Sequence, residues 1–446
     1  VYLFYEHQEE DMKELKPVKL GILGMGTVAS GLVNIMDFNK NKVDAAIKRD
    51  LTVTKVLVKN LGKKRNVSLP QEVYTQDAYE VINSDTDIIV ELIGGINPAY
   101  EYIKAALNNK KHVVTANKAL IAKHGEELEL LADKNNVKLM YEASVGGGIP
   151  ILNTIRENLS TNEFESVFGI LNGTTNFILT QMTENGLDYD QAVKEAQRLG
   201  FAEADPSSDV GGDDAAYKLS ILSGLAFGQK IHVNDIPKEG IIKISREDIV
   251  YAKELGYNIK LLAAGIKKGN EIELSVHPAF IPASHPLSTV KNEYNAVYLK
   301  GNAVGELLFY GKGAGSLPTG SAVLEDIIYI VKNVSSSADE IAENRQAGNK
   351  RENNLAVSNK GYKQYYINME VIDKPGVLGS IASIFGKYNV SLASVVQRQK
   401  NGDNTVPLVF ITHEAERKNI DAALEETKKL EFVTELTSII IVESFK

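Results

Sequence analysis

The chain has 446 residues, 43% of them hydrophobic and 24% charged, enough for two or three domains with their own cores. Its net charge of −9 disfavours nucleic acid, which needs a basic footprint, and no apolar run reaches membrane-spanning length. It has no cysteine, which removes disulfides, thiolate zinc sites and thiol catalysis. No basic-then-apolar leader is present, so the expected compartment is the cytoplasm. Residues 1–11 precede the first methionine, Met12, and enter no predicted element.

Residues 13–149 alternate strands with helices. An apolar strand at 18–24 runs into Gly24-Met-Gly26-Thr27-Val28-Ala29, and a helix at 27–36 follows. Further strands are predicted at 51–58, 87–93, 111–115 and 137–141, with helices at 98–109 and 117–134. This alternation predicts an α/β, Rossmann-type doubly wound sheet with its ligand at the carboxyl ends of the strands. From 150 to 319 helices mix with strands such as 166–171 and 271–276, an α+β substrate domain. A helix at 320–334 is expected to return to the nucleotide domain, and the polar stretch 335–362 reads as a linker. Residues 363–446 have their own rhythm: strand 365–371, helix 376–388, strands 391–397 and 405–412, helix 415–429 and strand 438–443. The turn between the two middle strands is Asn401-Gly-Asp-Asn. That order is βαββαβ, a ferredoxin-like unit.

Several motifs carry chemistry. In Gly24-x-Gly26-x-x-Ala29 the first glycine permits a tight turn, and the second lets backbone approach a pyrophosphate at a helix N-terminus. The second strand ends in Val58-Lys59-Asn60 rather than in an acid for a ribose hydroxyl. Lys59 with Lys63, Lys64 and Arg65 would suit a 2′-phosphate, which leans toward NADP over NAD; a solvated basic turn is the plainer reading. Thr115-Ala-Asn117-Lys118 places a lysine in a helix first turn, against the macrodipole, where a polarised ligand oxygen would make it tolerable. An exposed lysine is the alternative. The acidic run from Glu203 to Lys218 includes Asp205, Asp209, Asp213 and Asp214 and leads into an apolar helix. Asp214 and Lys218 are four apart and share a helix face. A surface ion pair is the bland reading, but a lysine whose charged form is disfavoured by burial can accept a hydroxyl proton, while carboxylates bind a substrate ammonium. The loop from Glu142 through Val145, Gly147 and Ile149 to Pro150 exposes carbonyls that suit a monovalent cation; by spacing alone the structural role wins. Asp373-Lys-Pro-Gly376 opens a helix N-terminus to a small carboxylate, with a dimerising module as the competing role.

Together these segments resemble homoserine dehydrogenase of the longer bacterial type. The resemblance rests on Gly21 to Ala29, Thr115 to Leu120, Glu142 to Ile151, Gly169 to Asn176, Gly200 to Lys218 and Gly313 to Gly315, and spans roughly 18–334. The tail resembles an ACT domain. The resemblance implies NAD(P)-linked interconversion of homoserine and aspartate 4-semialdehyde, on the route to threonine, isoleucine and methionine. It implies Lys118 and Lys218 as catalytic lysines, Lys218 as the acid/base, and Glu203, Asp209, Asp214, Gly173 and Thr174 at the substrate. Gly200 and Gly315 would line the cofactor or substrate cleft. The carbonyls of Glu142, Val145, Gly147 and Ile149 would hold sodium or potassium, reversing the structural reading of that loop. A homodimer formed through the α+β substrate/dimerisation domain at 150–319 is implied, with higher assembly through the ACT domain and an amino-acid effector there as further expectations. Two positions depart from the pattern: Ala29 at the third fingerprint position, and Tyr217 where the family commonly has arginine. No kinase-like segment precedes the nucleotide domain, which implies a monofunctional form.

Aspartate-semialdehyde dehydrogenase needs a catalytic cysteine and is excluded. Another amino-acid or hydroxy-acid dehydrogenase, and a catalytically silent amino-acid sensor, are the remaining alternatives; Lys118, Asp214 and Lys218 argue against the sensor. Deleting residues 360–446 is expected to leave the chemistry intact while changing assembly or inhibition.

Overall fold

The computed structural model describes residues 16–334, 355–358, 361–397 and 404–445, grouped in two compact units. The first draws on Val1–Ser160 and Lys312–Glu352, the second on Thr161–Gly311 and Asn353–Lys446.

The first unit is built on six parallel strands, β1 (Val18–Leu23), β2 (Leu51–Leu57), β3 (Tyr74–Thr75), β4 (Ile88–Glu91), β5 (His112–Thr115) and β6 (Leu139–Met140), in the order β3-β2-β1-β4-β5-β6. The central strands β1 and β4 are almost wholly buried, which is why they read as continuous apolar runs rather than as alternation. Strand order reverses beside β1, between β2 and β4, and this is where a doubly wound sheet opens a ligand crevice. The short β3 and the helix Ala78–Asn83 have no counterpart among the predicted elements; two and six residues are too few to show a period. The helix predicted from 320 begins at Ser316 and runs to Val334. Pro318 lies in its first turn, where a missing N–H costs nothing, so the helix can begin ahead of the proline. This helix packs against Thr27–Phe38 through two glycines. A Cβ on Gly31 would sit 1.9 Å from the Ser316 carbonyl oxygen, and one on Gly320 2.6 Å from the Leu32 amide nitrogen.

The second unit is one mixed sheet. Its strands are β7 (Phe164–Ile170), β8 (Tyr257–Lys268), β9 (Glu271–Pro282), β10 (Tyr294–Gly301), β11 (Gly305–Lys312), β12 (Ala356–Val357), β13 (Tyr362–Ile372), β14 (Leu392–Gln397), β15 (Thr405–Thr412), β16 (Ala415–Glu416) and β17 (Val433–Val442). The main order is β11-β10-β7-β8-β9-β17-β13-β15-β14. The strand predicted at 271–276 continues to Pro282, because Pro278 sits within the ladder opposite Leu261, a position that pattern reading treats as a break. The β8–β9 hairpin turns at Gly269, whose φ of +60° suits glycine. The tail forms the βαββαβ unit, with order β17-β13-β15-β14 and helices Val377–Lys387 and Arg417–Thr427 packed on one face.

The tail is not set apart from the substrate region. β17 pairs in parallel with β9, Ile441 opposite Ala279 and Val442 opposite Phe280. Within the expected linker, Ala356 and Val357 pair with Glu271 and Ile272 of β9. Residues 335–354 and 359–360 of that stretch, and 401–403 of the expected turn, lie outside the described residues.

Asp248, wholly buried, fastens the same junction. Its carboxylate accepts from the Ser245 hydroxyl at 2.8 Å, from Tyr366 Oη on β13 at 2.9 Å and from Ser438 Oγ on β17 at 2.6 Å.

His277 on β9 is fully buried, and neither ring nitrogen has a hydrogen-bond partner among the described residues. Burial, aided by the Lys363 charge, pushes its pKa down to about 3. The folded state therefore rejects a proton that the unfolded chain accepts below about 6.5. Stability contributed by this ring is present above that pH and is lost as pH falls toward about 3. Thermal melting of His277→Leu is expected to show a smaller loss of midpoint between about pH 6.5 and 4 than the parent, by the order of a few kcal/mol in stability. Parallel declines in the two proteins would remove His277 as a source of acid sensitivity.

Candidate functional site

In the first unit the crevice is built from the ends of β1, β4 and β5. Gly24, at φ +97°, makes the turn after β1, and a Cβ there would lie 3.0 Å from the Leu92 carbonyl oxygen. Gly26 caps the helix Thr27–Phe38 with no side-chain hydrogen bond, and nothing lies within 4 Å of where its Cβ would be. The helix start is thus uncapped and open at Gly26, the kind of helix N-terminus at which an anionic group can bind. Thr27 and Val28 form the first turn, and Ala29 is wholly buried beneath it. Lys59, Lys63 and Lys64 are exposed after β2. Arg65 folds back on that turn, donating to the carbonyls of Lys63 at 2.8 Å and Asn60 at 2.7 Å, and covers the Tyr74 ring.

Glu91, which no motif singled out, organises the neighbouring loop. Its buried carboxylate accepts from the amides of Ile93 at 2.7 Å and Gly94 at 3.2 Å, and from Thr115 Oγ1 at 2.6 Å. Asn117 binds the Gly95 carbonyl at 2.5 Å and accepts from the Leu120 amide at 3.2 Å, capping the helix Lys118–Lys134. Lys118 is the first residue of that helix and is half-buried.

The Glu142–Pro150 loop turns on Gly146 and Gly147, at φ +72° and +57°. It crosses the segment around Gly313 so closely that a Cβ on Gly147 would meet the Gly313 carbonyl oxygen at 2.3 Å. The Glu142 carboxylate is consumed by the amides of Ile151, Leu152 and Asn153 at 2.6, 2.9 and 2.6 Å, which leaves backbone carbonyls as the loop's donors. Gly315 takes φ +123° at the start of the helix Ser316–Val334.

In the second unit the acidic run separates into two groups. Asp214 and Lys218, on the helix Asp213–Phe227, form an ion pair at 2.8 Å with side chains only 8% and 11% exposed. Lys218 Nζ also donates to the Leu171 carbonyl at 2.6 Å. Asn172 bridges the carboxylates, its amide donating to Asp209 at 2.7 Å and to Asp214 at 2.8 Å. Burial, with the Asp214 charge beside it, raises the Asp209 pKa, and the Asn172 hydrogen bond opposes that rise. Gly173 and Thr174 open the helix Gly173–Asn185, and Thr174 Oγ1 donates to the Phe201 carbonyl at 2.7 Å. Glu203, Asp205 and Asp213 stay outside this group. Glu203 is exposed, Asp205 accepts from the Ser207 amide at 3.1 Å, and Asp213 pairs with Lys238. Gly200, at φ +79°, closes the preceding helix, with nothing within 4 Å of its Cβ position. Sequence reasoning missed Asn172 as the bridge, although it lies within the Gly169–Asn176 motif; its only signal was position immediately before the helix Gly173–Asn185.

A crevice suited to a dinucleotide in one unit, and a shielded lysine–carboxylate group in the other, define a nucleotide-dependent dehydrogenase. Comparison with known proteins is more specific. Residues 150–328 match the family described as homoserine dehydrogenase, residues 24–142 the homoserine dehydrogenase NAD binding domain, and residues 365–432 the ACT domain. The chain is 43% identical over 431 residues to the homoserine dehydrogenase of Bacillus subtilis, covering 96% of this chain and 99% of that protein. With the Synechocystis enzyme it shares 42% identity over 434 residues, covering 96% and 100%. The solved structure of a homoserine dehydrogenase from Thiobacillus denitrificans superposes with a TM-score of 0.88 at 38% identity, covering 97% of this chain and 99% of that one. A hyperthermophilic archaeal homoserine dehydrogenase in complex with NADPH gives 0.61 at 30% identity, covering 71% and 98%. The chain belongs to the homoserine dehydrogenase family and carries its NAD-binding, catalytic and ACT domains. Among the described residues, no helix is long and apolar enough to cross a membrane.

Proposed function

We propose that this chain interconverts L-homoserine and L-aspartate 4-semialdehyde, with Lys218 as the proton carrier. The observation behind this reading is the shielded Lys218–Asp214 pair, tied to Asp209 by Asn172. Bound NAD(P) supplies the hydride acceptor or donor. In alcohol oxidation the carbon–hydrogen electron pair leaves as hydride to the nucleotide, and the hydroxyl proton passes to the Lys218 amine nitrogen. In aldehyde reduction the Lys218 ammonium returns that proton to the carbonyl oxygen. An ammonium has three donors; Leu171 and Asp214 occupy two, which directs the third to substrate oxygen.

Asp214 and Glu203, the latter exposed and outside the buried group, hold the substrate, with Asp209, Gly173 and Thr174 nearby. Lys118, at a helix start, polarises the reacting oxygen. Gly200 and Gly315 give backbone room at the substrate and the cofactor. Exposed Lys59, with no acid at the end of β2, favours NADP over NAD. The carbonyls of Glu142, Val145, Gly147 and Ile149 are hard oxygen donors on a glycine turn and fit sodium or potassium, which would brace the loop. The ACT unit holds a small effector. A cavity of about 420 Å³ lies over Asp373–Leu378 and Gln397, where Gly376 starts a helix at φ +92°. The working assembly is a homodimer in the cytoplasm.

The test is homoserine-dependent reduction of NADP and NAD by the full chain, with sodium or potassium present and the aldehyde identified. Turnover preferring NADP is expected. Absence of turnover with either nucleotide in folded protein overturns the substrate, and preference for NAD overturns the role of Lys59.

A further inference from the structure

We propose that Lys260 is a positioning residue for the proton-carrying lysine, acting through Asn176 and Asn172. Lys260 lies in β8 among Ile259, Leu261 and Leu262, and only 5% of it is exposed. Its Nζ donates to Asn176 Oδ1 at 3.0 Å and to the Val290 carbonyl. Both acceptors are neutral, and burial pushes the amine pKa down to about 8. A methionine of similar length would fill this strand position without placing an ammonium out of water, so the residue carries an energetic cost that packing does not explain.

What it fixes is the start of the helix Gly173–Asn185. The Asn176 amide group, oriented by Lys260, donates to the carbonyls of Asn292 at 2.9 Å and Tyr294 at 3.1 Å. The Asn292 amide in turn donates to Thr180 Oγ1 at 3.0 Å. The segment Asn292–Tyr294 is thereby clamped to the first two turns of the helix, and only glycine fits at 173, since a Cβ there would lie 2.7 Å from the Glu293 carbonyl oxygen. The Asn176 backbone N–H donates to the Asn172 backbone carbonyl at 3.3 Å. Asn172 then holds Asp209 and Asp214, and Leu171, one residue earlier, holds Lys218. Hydrogen bonds, joined through the covalent frames of Asn176 and Asn172, thus link the buried Lys260 to the pair at Lys218. Proton transfer is sensitive to displacements of about 1 Å or less, and every hydrogen bond of this clamp lies within the second unit.

The inference rests on Lys218 as proton carrier. Its test uses Lys260→Met, Asn176→Ala and their double variant in the full chain, with thermal melting as the control for folding. Lys260→Met is expected to lower kcat by about tenfold with a larger solvent isotope effect, while KM for NADP changes by less than about twofold. Asn176→Ala should do the same, and the double variant should fall no further than the deeper single, because both act on one path. Wild-type kcat in folded Lys260→Met, or losses that multiply in the double variant, overturns it. Should Lys260→Met not fold, Asn176→Ala decides by the same criteria. Full turnover in Lys218→Ala would instead remove the underlying reading, whatever Lys260→Met does.

Discussion

Lys218→Ala is expected to lower kcat by about 10²- to 10⁴-fold, the usual contribution of a positioned proton carrier. Nucleotide affinity should be unchanged, because the glycine turn at Gly24–Gly26 belongs to the other unit. Folding should survive, since Asp214 keeps its hydrogen bond from Asn172 at 2.8 Å. Lys218→Arg should not restore turnover, because a guanidinium does not release its proton in the working pH range. Asp214→Asn should lose activity as well, by removing the negative charge beside the ammonium. The measurement is steady-state turnover with homoserine, together with nucleotide binding by fluorescence titration. A Lys218→Ala protein that binds nucleotide and keeps more than about a tenth of parental kcat would exclude Lys218 from proton transfer.

Removing residues 360–446 is expected to cost the folded enzyme rather than release an unregulated one. This differs from what the chain order suggests, because the tail supplies structure to the substrate region. Without β17 the apolar end of β9 around Ala279 and Phe280 loses its parallel neighbour and stands open. Phe280 loses the Tyr366 ring stacked on it at 4.4 Å, and His285 loses Phe445 at 3.7 Å. Asp248 would keep Ser245 and lose Tyr366 and Ser438, leaving a buried carboxylate underpaired. Asp248→Ala isolates that last effect. It leaves the Tyr366 and Ser438 hydroxyls without their acceptor and is expected to destabilise by about 3 kcal/mol or more. Size-exclusion chromatography and thermal melting decide the matter. A truncated chain that is soluble, melts cooperatively and turns over homoserine at the parental rate would restore the tail to a detachable role.

The first unit was legible because its signals are local. Buried parallel strands read as apolar runs, and the glycines at 24 and 26 follow from a turn that needs φ +97° and an uncapped helix start. The βαββαβ order of the tail was legible for the same reason, since each element shows its own period. Within the acidic run, spacing alone put Asp214 and Lys218 on one helix face. It gave Glu203, Asp205, Asp209 and Asp213 equal standing, because burial is not a local property.

By itself, the sequence determined the alternation of elements, the nucleotide turn, the lysine four residues after an aspartate, and the absence of thiol chemistry. Only the tertiary structure decided which carboxylates join that lysine, since Asn172 and Leu171 reach it from more than forty residues away. It also decided that β17 closes on β9 and that Lys260 lies beneath the helix bordering the site. Pairing between distant strands depends on which edges remain open once neighbouring elements have folded, and a buried polar group depends on partners that chain order does not place beside it.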